Sequence, residues 1–299
     1  MPNRQSHTNN AKPSDVSSSS STLLCEIYNT IRPPVDYFSR CIIFGPVIFK
    51  IILAFIIIIV GSILKTLGVQ PSSYFSSKNN IFNVYFVKFG WGWMLSLLML
   101  FVPLTLITLK KNFNYYEIIT RHLVRLLIAT VVWYIITNLF VYIESYTGIC
   151  NHNKMKRVSR RACKKADHEW EEGFDLSGHI FLLLYSILIM NEEIRLYDKR
   201  TEKVDEAKKV EQNVGDTLSN IANQYSTLFD IIIRVLYVLI AALTILWEFM
   251  LLSTALYFHK TPDKFMAGVI AVFFWFITYR VWYTSNRSSS ILRPLSPRN

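Results

Sequence analysis

Two of the six histidines stand in surroundings that suit phosphoryl chemistry. His179 follows Ser177 and Gly178 in the stretch FDLSGHIFLLLYSILIM, a small-residue turn that opens directly into an apolar run. Such a turn leaves backbone N–H groups approachable, and a helix starting there presents the positive end of its dipole to an anion. His259 lies between STALYF and KTPD, with Asp263 four residues further on. That spacing lets a carboxylate hold one imidazole nitrogen if the segment turns as a helix, and Pro262 falls inside the turn. A pair of imidazoles can divide the work of cleaving a P–O bond. One, neutral, attacks phosphorus; the other, protonated, gives its proton to the leaving oxygen. The alternative for His179 is an interfacial histidine with satisfied hydrogen bonds and no chemistry. Zinc is the poorer reading of the pair, since no third ligand stands at a suitable spacing, and neither a metal nor a cofactor is expected.

Something must carry these two residues to one place. The chain of 299 residues is 52% hydrophobic and 14% aromatic, yet its formal net charge is +11. Apolar residues in this excess gather in runs long enough to cross a hydrocarbon core of ~30 Å. Six spans are predicted: Cys41 to Leu64, Phe86 to Leu109, Leu123 to Ile143, Phe174 to Met190, Leu228 to Leu252 and Phe265 to Thr284. The fold class is therefore all-α, a polytopic membrane protein, with tails at 1–40 and 285–299. The first tail lacks an apolar core and reads as Ser-rich and disordered, so the first span serves as the insertion signal. Six spans put both termini on one side. Lys and Arg near the span ends make that side the cytoplasm. Positive charge of this kind belongs to membrane faces, and no nucleic-acid partner is expected. Under this count His179 and His259 meet the same surface whichever way the protein inserts, and with cytoplasmic termini that surface is the lumenal one. One loop resists the assignment: KMKRVSRRACKK, within 151–172, falls on the outer face.

Several other residues have two open readings. Cys150 and Cys163 fall in or beside that basic loop and form either a disulfide, which requires an oxidising compartment, or two free thiols. Lys88, beside Phe89, Trp91 and Trp93, is a phosphate ligand or an interfacial lysine reaching for water. Glu248 within a span is costly to ionise in lipid and must face the protein interior. There it bonds a glyceride hydroxyl or ester, or it partners Lys50 or Lys88. Asn83, ahead of the second span, is a candidate substrate contact, while Arg121 and Arg125 open the third span on the opposite face and are set aside. The segment 191–225 carries an apolar face among many charges and reads as a surface helix or a solvated linker.

The stretches FDLSGHIFLL, LYFHKTPDKFMAG, NVYFVKFGWGW and IESYTGIC together resemble the fat-storage-inducing transmembrane (FIT) family of endoplasmic reticulum (ER) proteins, over about Cys41 to Thr284. That family is similar in turn to the lipid phosphate phosphatases, whose SGH motif supplies a proton-donating histidine and whose H-x3-D motif supplies a nucleophile and its orienting carboxylate. The resemblance implies a lipid-phosphatase-like fold with His179 as acid, His259 as nucleophile and Asp263 behind it. It departs from the phosphatases in two places: no K-x6-R-P motif stands in register, and Ser253 occupies the position of an arginine. Lys88, Lys260 and Lys264, with Ser177, Gly178 and Asn83, are then the expected phosphate and substrate contacts. Phe181, Leu182 and Leu183 match an FLL tied in the family to neutral lipid, against a generic packing role. The implied activity is cleavage of fatty acyl-CoA to acyl 4'-phosphopantetheine and adenosine 3',5'-bisphosphate at the lumenal face of the ER, in support of lipid droplet formation. The implied partners are acyl-CoA, membrane lipid, diacylglycerol and triacylglycerol. A lipid phosphate phosphatase, and a protein that only binds and partitions neutral glycerides, are the alternatives.

Overall fold

The structure, a computed structural model, describes residues 34–35, 37–69, 72–108, 115–151, 160–211 and 220–283. The tail 285–299, most of the tail 1–40, Lys110, Lys111 and the basic residues 154–159 lie outside the described residues, as do the side chains of 196–228, which hold most of the expected amphipathic face.

Among the described residues these helices carry the fold: α1 Val47–Thr66, α2 Gly90–Thr108, α3 Tyr115–Thr147, α4 Arg160–Lys165, α5 Gly178–Glu211, α6 Asn220–Tyr257 and α7 Thr261–Trp275. π-helical turns at Phe82–Val87 and Phe276–Trp282 lead into α2 and extend α7. A two-residue strand β1, Ile149–Cys150, pairs antiparallel with β2, Trp170–Glu171, the one departure from an all-α chain among the described elements.

Five stretches of these helices are long and apolar enough to cross a membrane: Val47–Thr66, Gly90–Ile107, Ile119–Thr147, Phe229–Tyr257 and Thr261–Trp282. This is a multi-spanning membrane protein. The helix ends differ from the expected ones for local reasons. The first helix begins at Val47 rather than Cys41, because Pro46 has no N–H to donate and its ring obstructs a continuing helix, so the preceding turns stop at Gly45. The last begins at Thr261 rather than Phe265, because Pro262 suits a first helical turn and Asp263 sits favourably against the dipole there.

The expected fourth span differs most. Its helix starts at Gly178, not Phe174, and its apolar run ends at Met190, where Asn191, Glu192 and Glu193 follow. That run is too short to qualify as a span on composition. It is also the most enclosed segment among the described residues: every residue from Ile180 to Met190 is buried. Helices α2, α6 and α7 pack along it, with α1 and α3 alongside. Neighbours on all sides explain why the run shows no helical period, since a stripe arises only where one face meets something different. Aromatic rings fill the contact with α2 and α3. Trp91 stacks on Trp133 at 5.1 Å between centroids, and Phe181 stacks on Tyr185 at 5.3 Å. Small residues let α1 approach α6, and a Cβ placed on Gly61 would come 2.8 Å from that of Ala255.

Enclosure continues past the apolar run because the polar residues there are paired. Arg125 of α3 grips Glu193 through both carboxylate oxygens, Nε to Oε1 at 2.8 Å and Nη2 to Oε2 at 2.9 Å. His122 bonds Oε2 of the same carboxylate, and the Tyr279 hydroxyl donates to Oε1 at 2.9 Å. Asn191 donates its amide to the Ile43 carbonyl. At the edge, Glu192 pairs with Arg280 at 2.7 Å.

Removing one member of a buried ion network strands the others, a loss of ~3–5 kcal/mol. Glu193→Ala is therefore expected to lower thermal stability in detergent by about that amount, whereas Glu192→Ala costs ~1 kcal/mol or less. Equal losses in the two variants would show that Glu193 does not anchor α5.

Candidate functional site

The start of α5 and the turn between α6 and α7 meet at one end of the bundle. Ser177 caps α5: its hydroxyl accepts from the Ile180 N–H at 3.4 Å and its carbonyl from Phe181 at 3.1 Å. Buried in that role, Ser177 shapes the turn. A Cβ on Gly178 would meet nothing within 4 Å, so open space lies beside the first turn, where His179 sits half-buried.

His259 occupies a reversal of the chain. Its φ of 49° lies in the left-handed region, which costs a non-glycine residue ~1 kcal/mol or more and persists only where surroundings impose it. The Lys65 ammonium, from the end of α1, imposes it by donating to the Tyr257 carbonyl at 3.3 Å and the His259 carbonyl at 2.9 Å. Lys264 ties the same turn from the other side, its ammonium buried and bonded to the Ala255 carbonyl at 2.6 Å.

This reversal separates His259 from the helix that carries Asp263. The four-residue spacing works only on a continuous helix, and α7 starts after His259, at Thr261. Asp263 is buried in the first turn of α7 and bonds the Lys260 backbone, and it acts on His259 and Asp175 through charge alone. The carboxylate at His259 belongs to Asp175, whose Oδ2 lies 3.1 Å from Nδ1. That hydrogen bond holds the Asp175 carboxyl below the usual carboxylate range, with burial opposing it and the charges of His259, Arg160 and Lys78 adding to it. Asp175 thus engages Nδ1 of His259, and Nε2 is the ring nitrogen outside that bond.

His179 lies within electrostatic reach of His259, Lys88 and Lys78. The π-helical turn Phe82–Val87 delivers Lys88, exposed, beside it. Asn83 is buried in that turn and donates to the Lys78 carbonyl at 2.7 Å, so it fixes the loop on which Lys78 stands. Lys260, exposed, precedes α7. Of the three expected cations, Lys88 and Lys260 are exposed and Lys264 is engaged with a carbonyl.

The remaining candidates lie elsewhere. Phe181, Leu182 and Leu183 are inside the bundle, with Phe181 edge-on to Phe140, and not on its outer surface. Glu248 shares a small cleft with Lys50 among Leu53, Ala54, Ile57, Leu184, Ile187 and Leu251, and the two charges act on each other. Lys50 also donates to the Ile43 carbonyl at 3.2 Å. Cys150 and Cys163 are joined by a disulfide. An open apolar groove of about 230 Å³ runs beside the His259 turn, lined by Ile59, Ser62, Ile63, Thr66, Leu67 and Thr261. Among the described residues no three His, Cys, Asp or Glu side chains converge as metal ligands.

Sequence reasoning passed over Asp175, Lys65 and Lys78. Asp175 stands in the very motif that drew attention to His179, yet its partner comes from a turn far along the chain. Only the fold brings them together.

Two comparisons bear on these residues. The family described as fat storage-inducing transmembrane protein matches residues 71–279, which include Asp175, His179 and His259. The chain is 36% identical over 246 residues to the acyl-coenzyme A diphosphatase FITM2 of Xenopus tropicalis, covering 81% of this chain and 82% of that one. It is 36% identical over 228 residues to the protein of the same name from Drosophila melanogaster, covering 71% and 53%. It is 34% identical over 230 residues to the one from Homo sapiens, covering 75% and 78%. No solved structure matches.

A hydrogen bond to a charged donor contributes ~1.5–3 kcal/mol. Lys65→Met is accordingly expected to speed amide hydrogen exchange across residues 257–260 by about tenfold or more, with exchange in α5 unchanged. Equal exchange in the two proteins would mean that Lys65 does not hold the turn.

Proposed function

The chain belongs to the fat storage-inducing transmembrane family, and from that premise we propose that it is a fatty acyl-CoA diphosphatase of the ER membrane. Acyl-CoA would be cleaved to acyl 4'-phosphopantetheine and adenosine 3',5'-bisphosphate, in support of lipid droplet formation and ER lipid balance. The observation that carries this reading is the meeting of His179 and His259, the latter held by Asp175, at one end of the bundle.

In the proposed mechanism Nε2 of His259 attacks one phosphorus of the anhydride. A P–N bond forms as the bridging P–O bond breaks, and His179 donates a proton to the departing phosphate oxygen. Water then releases the phosphoryl group from His259, with His179 accepting its proton. Asp175 keeps the His259 tautomer correct and balances the positive charge that develops on the ring. His179 must be protonated at the first step, against its burial first and then the charges of His259, Lys88 and Lys78, which together push its imidazole down to about 4. The anionic substrate supplies the compensating charge. Lys78 and Lys88 would carry the anhydride phosphates. Asp263 would act on the site by fixing the start of α7.

An acyl chain drawn from the bilayer would lie in the apolar groove between α1 and α7, which begins within two residues of His259. The Lys50–Glu248 cleft would offer polar contact to a glyceride. A disulfide between Cys150 and Cys163, on the chain leading into Asp175, supports a site on the oxidising, lumenal side, with six spans and both termini in the cytoplasm.

Oleoyl-CoA cleavage by microsomes tests the proposal. His179→Ala and His259→Ala are expected to reduce release of adenosine 3',5'-bisphosphate by ~10²-fold or more, the scale of positioned acid–base groups. Asp175→Ala is expected to cost more than Asp263→Ala. Undiminished release in both histidine variants would contradict the mechanism, and phosphate release from phosphatidate in place of nucleotide release would make the protein a lipid phosphatase.

A further inference from the structure

The two histidines account for the anhydride but not for the far end of the proposed substrate. Acyl-CoA carries a further phosphate on the ribose, beyond the bond that breaks, and it requires cations of its own. Lys65 and Lys264 are occupied with backbone carbonyls. Lys78 and Lys88 lie by His179, where the anhydride reacts.

The short helix α4 has the sequence RRACKK, four cations in six residues. An isolated helix of this length does not persist in water, so its presence needs outside support. Support comes from several directions. Cys163, buried within α4, is bonded to Cys150 of β1. Arg160 pairs with Glu144 at the end of α3 and with Glu172, each at 3.2 Å. The Trp170 indole donates to the same Glu144 at 3.0 Å, and the Phe174 N–H donates to the Thr147 hydroxyl at 2.8 Å. Arg160 and Cys163 are thus spent on anchoring the helix. Arg161, Lys164 and Lys165 are left exposed.

The anchored unit runs straight into the site. Glu172, which holds Arg160, is followed by Asp175, which holds His259, and by His179. The charge of Arg160 is felt at Asp175, so α4 stands close to the reacting groups. A row of exposed cations on an anchored helix whose Arg160 acts on Asp175 matches a ligand whose remaining group is a phosphate monoester.

We propose that Arg161, Lys164 and Lys165 of α4 form the recognition surface for the ribose phosphate of the nucleotide end of acyl-CoA, and that the Cys150–Cys163 disulfide holds this surface beside the histidine pair. The inference rests on the acyl-CoA reading above and deepens it. It gives the basic loop, which fits poorly with the outward topology on charge alone, a ligand on that side.

Binding to the full-length protein in nanodiscs of uncharged lipid tests this, with adenosine 3',5'-bisphosphate and adenosine 5'-monophosphate as probes. The wild type is expected to prefer the bisphosphate by about tenfold, and more weakly as salt rises. Arg161→Ala/Lys164→Ala/Lys165→Ala is expected to bring the preference to about twofold or less. The same variant should raise KM for oleoyl-CoA about tenfold while leaving kcat as it was, a split that a misfolded protein does not give. A single charge reversal, Lys164→Glu, should shift KM in the same direction. Retention of the full preference in the triple variant would overturn the proposal. So would retention of the preference together with lost association with phosphatidylserine vesicles, which would make α4 a membrane-facing surface. If the α4-dependent preference holds but the wild type cleaves no acyl-CoA, the hydrolase reading fails and nucleotide recognition by α4 stands.

Discussion

Burial of α5 on every side is the constraint on which the rest of the fold depends. Unpaired polar groups are costly inside a membrane protein, so a helix enclosed by α2, α6 and α7 can change from apolar to charged only where partners are waiting. At one end the partner is Arg125, supported by His122 and Tyr279, for Glu193. At the other end the apolar run stops at Ser177, Gly178 and His179, at the rim of the bundle where the turn between α6 and α7 lies. A network at one end and a capped turn at the other fix the axial position of α5. The same fixing places His179.

The second half of the site follows from helices that must reverse direction at that rim. Pro262 starts a fresh helix, the chain turns through a left-handed His259, and Lys65 holds the two carbonyls that the turn exposes. An imidazole carried on so constrained a turn needs a partner from elsewhere in the fold. Asp175, on the segment leading into α5, supplies it. One short connection therefore serves both histidines: it orients His259 through Asp175 and caps the helix of His179 through Ser177.

Much of this was legible in the sequence, and the illegible parts have physical reasons. Length and apolarity mark α1, α2, α3, α6 and α7, because lipid exposure demands long runs. They mark α5 less plainly, because a helix buried in protein needs no 20-residue apolar length and gives no stripe. The pairing of His179 with His259 is visible from counting spans, since helix ends must lie at a surface. The choice of Asp175 over Asp263 is not, because local spacing presumes a continuous helix and Pro262 breaks it. The basic loop is hard to read for a similar reason. Charge counting treats its cations alike, whereas Arg160 is consumed in ion pairs and its neighbours in α4 are exposed.

The central claim is that Asp175 and His259 act as one unit, with Asp263 outside it. A double-mutant cycle on nucleotide release from oleoyl-CoA measures that directly, using Asp175→Asn, Asp263→Asn and His259→Ala singly and in the two pairs. The account predicts that Asp175→Asn, harmful alone, adds no further loss once His259 is gone. Independent, additive losses for Asp175 and His259, with coupling to His259 found for Asp263 instead, would contradict it.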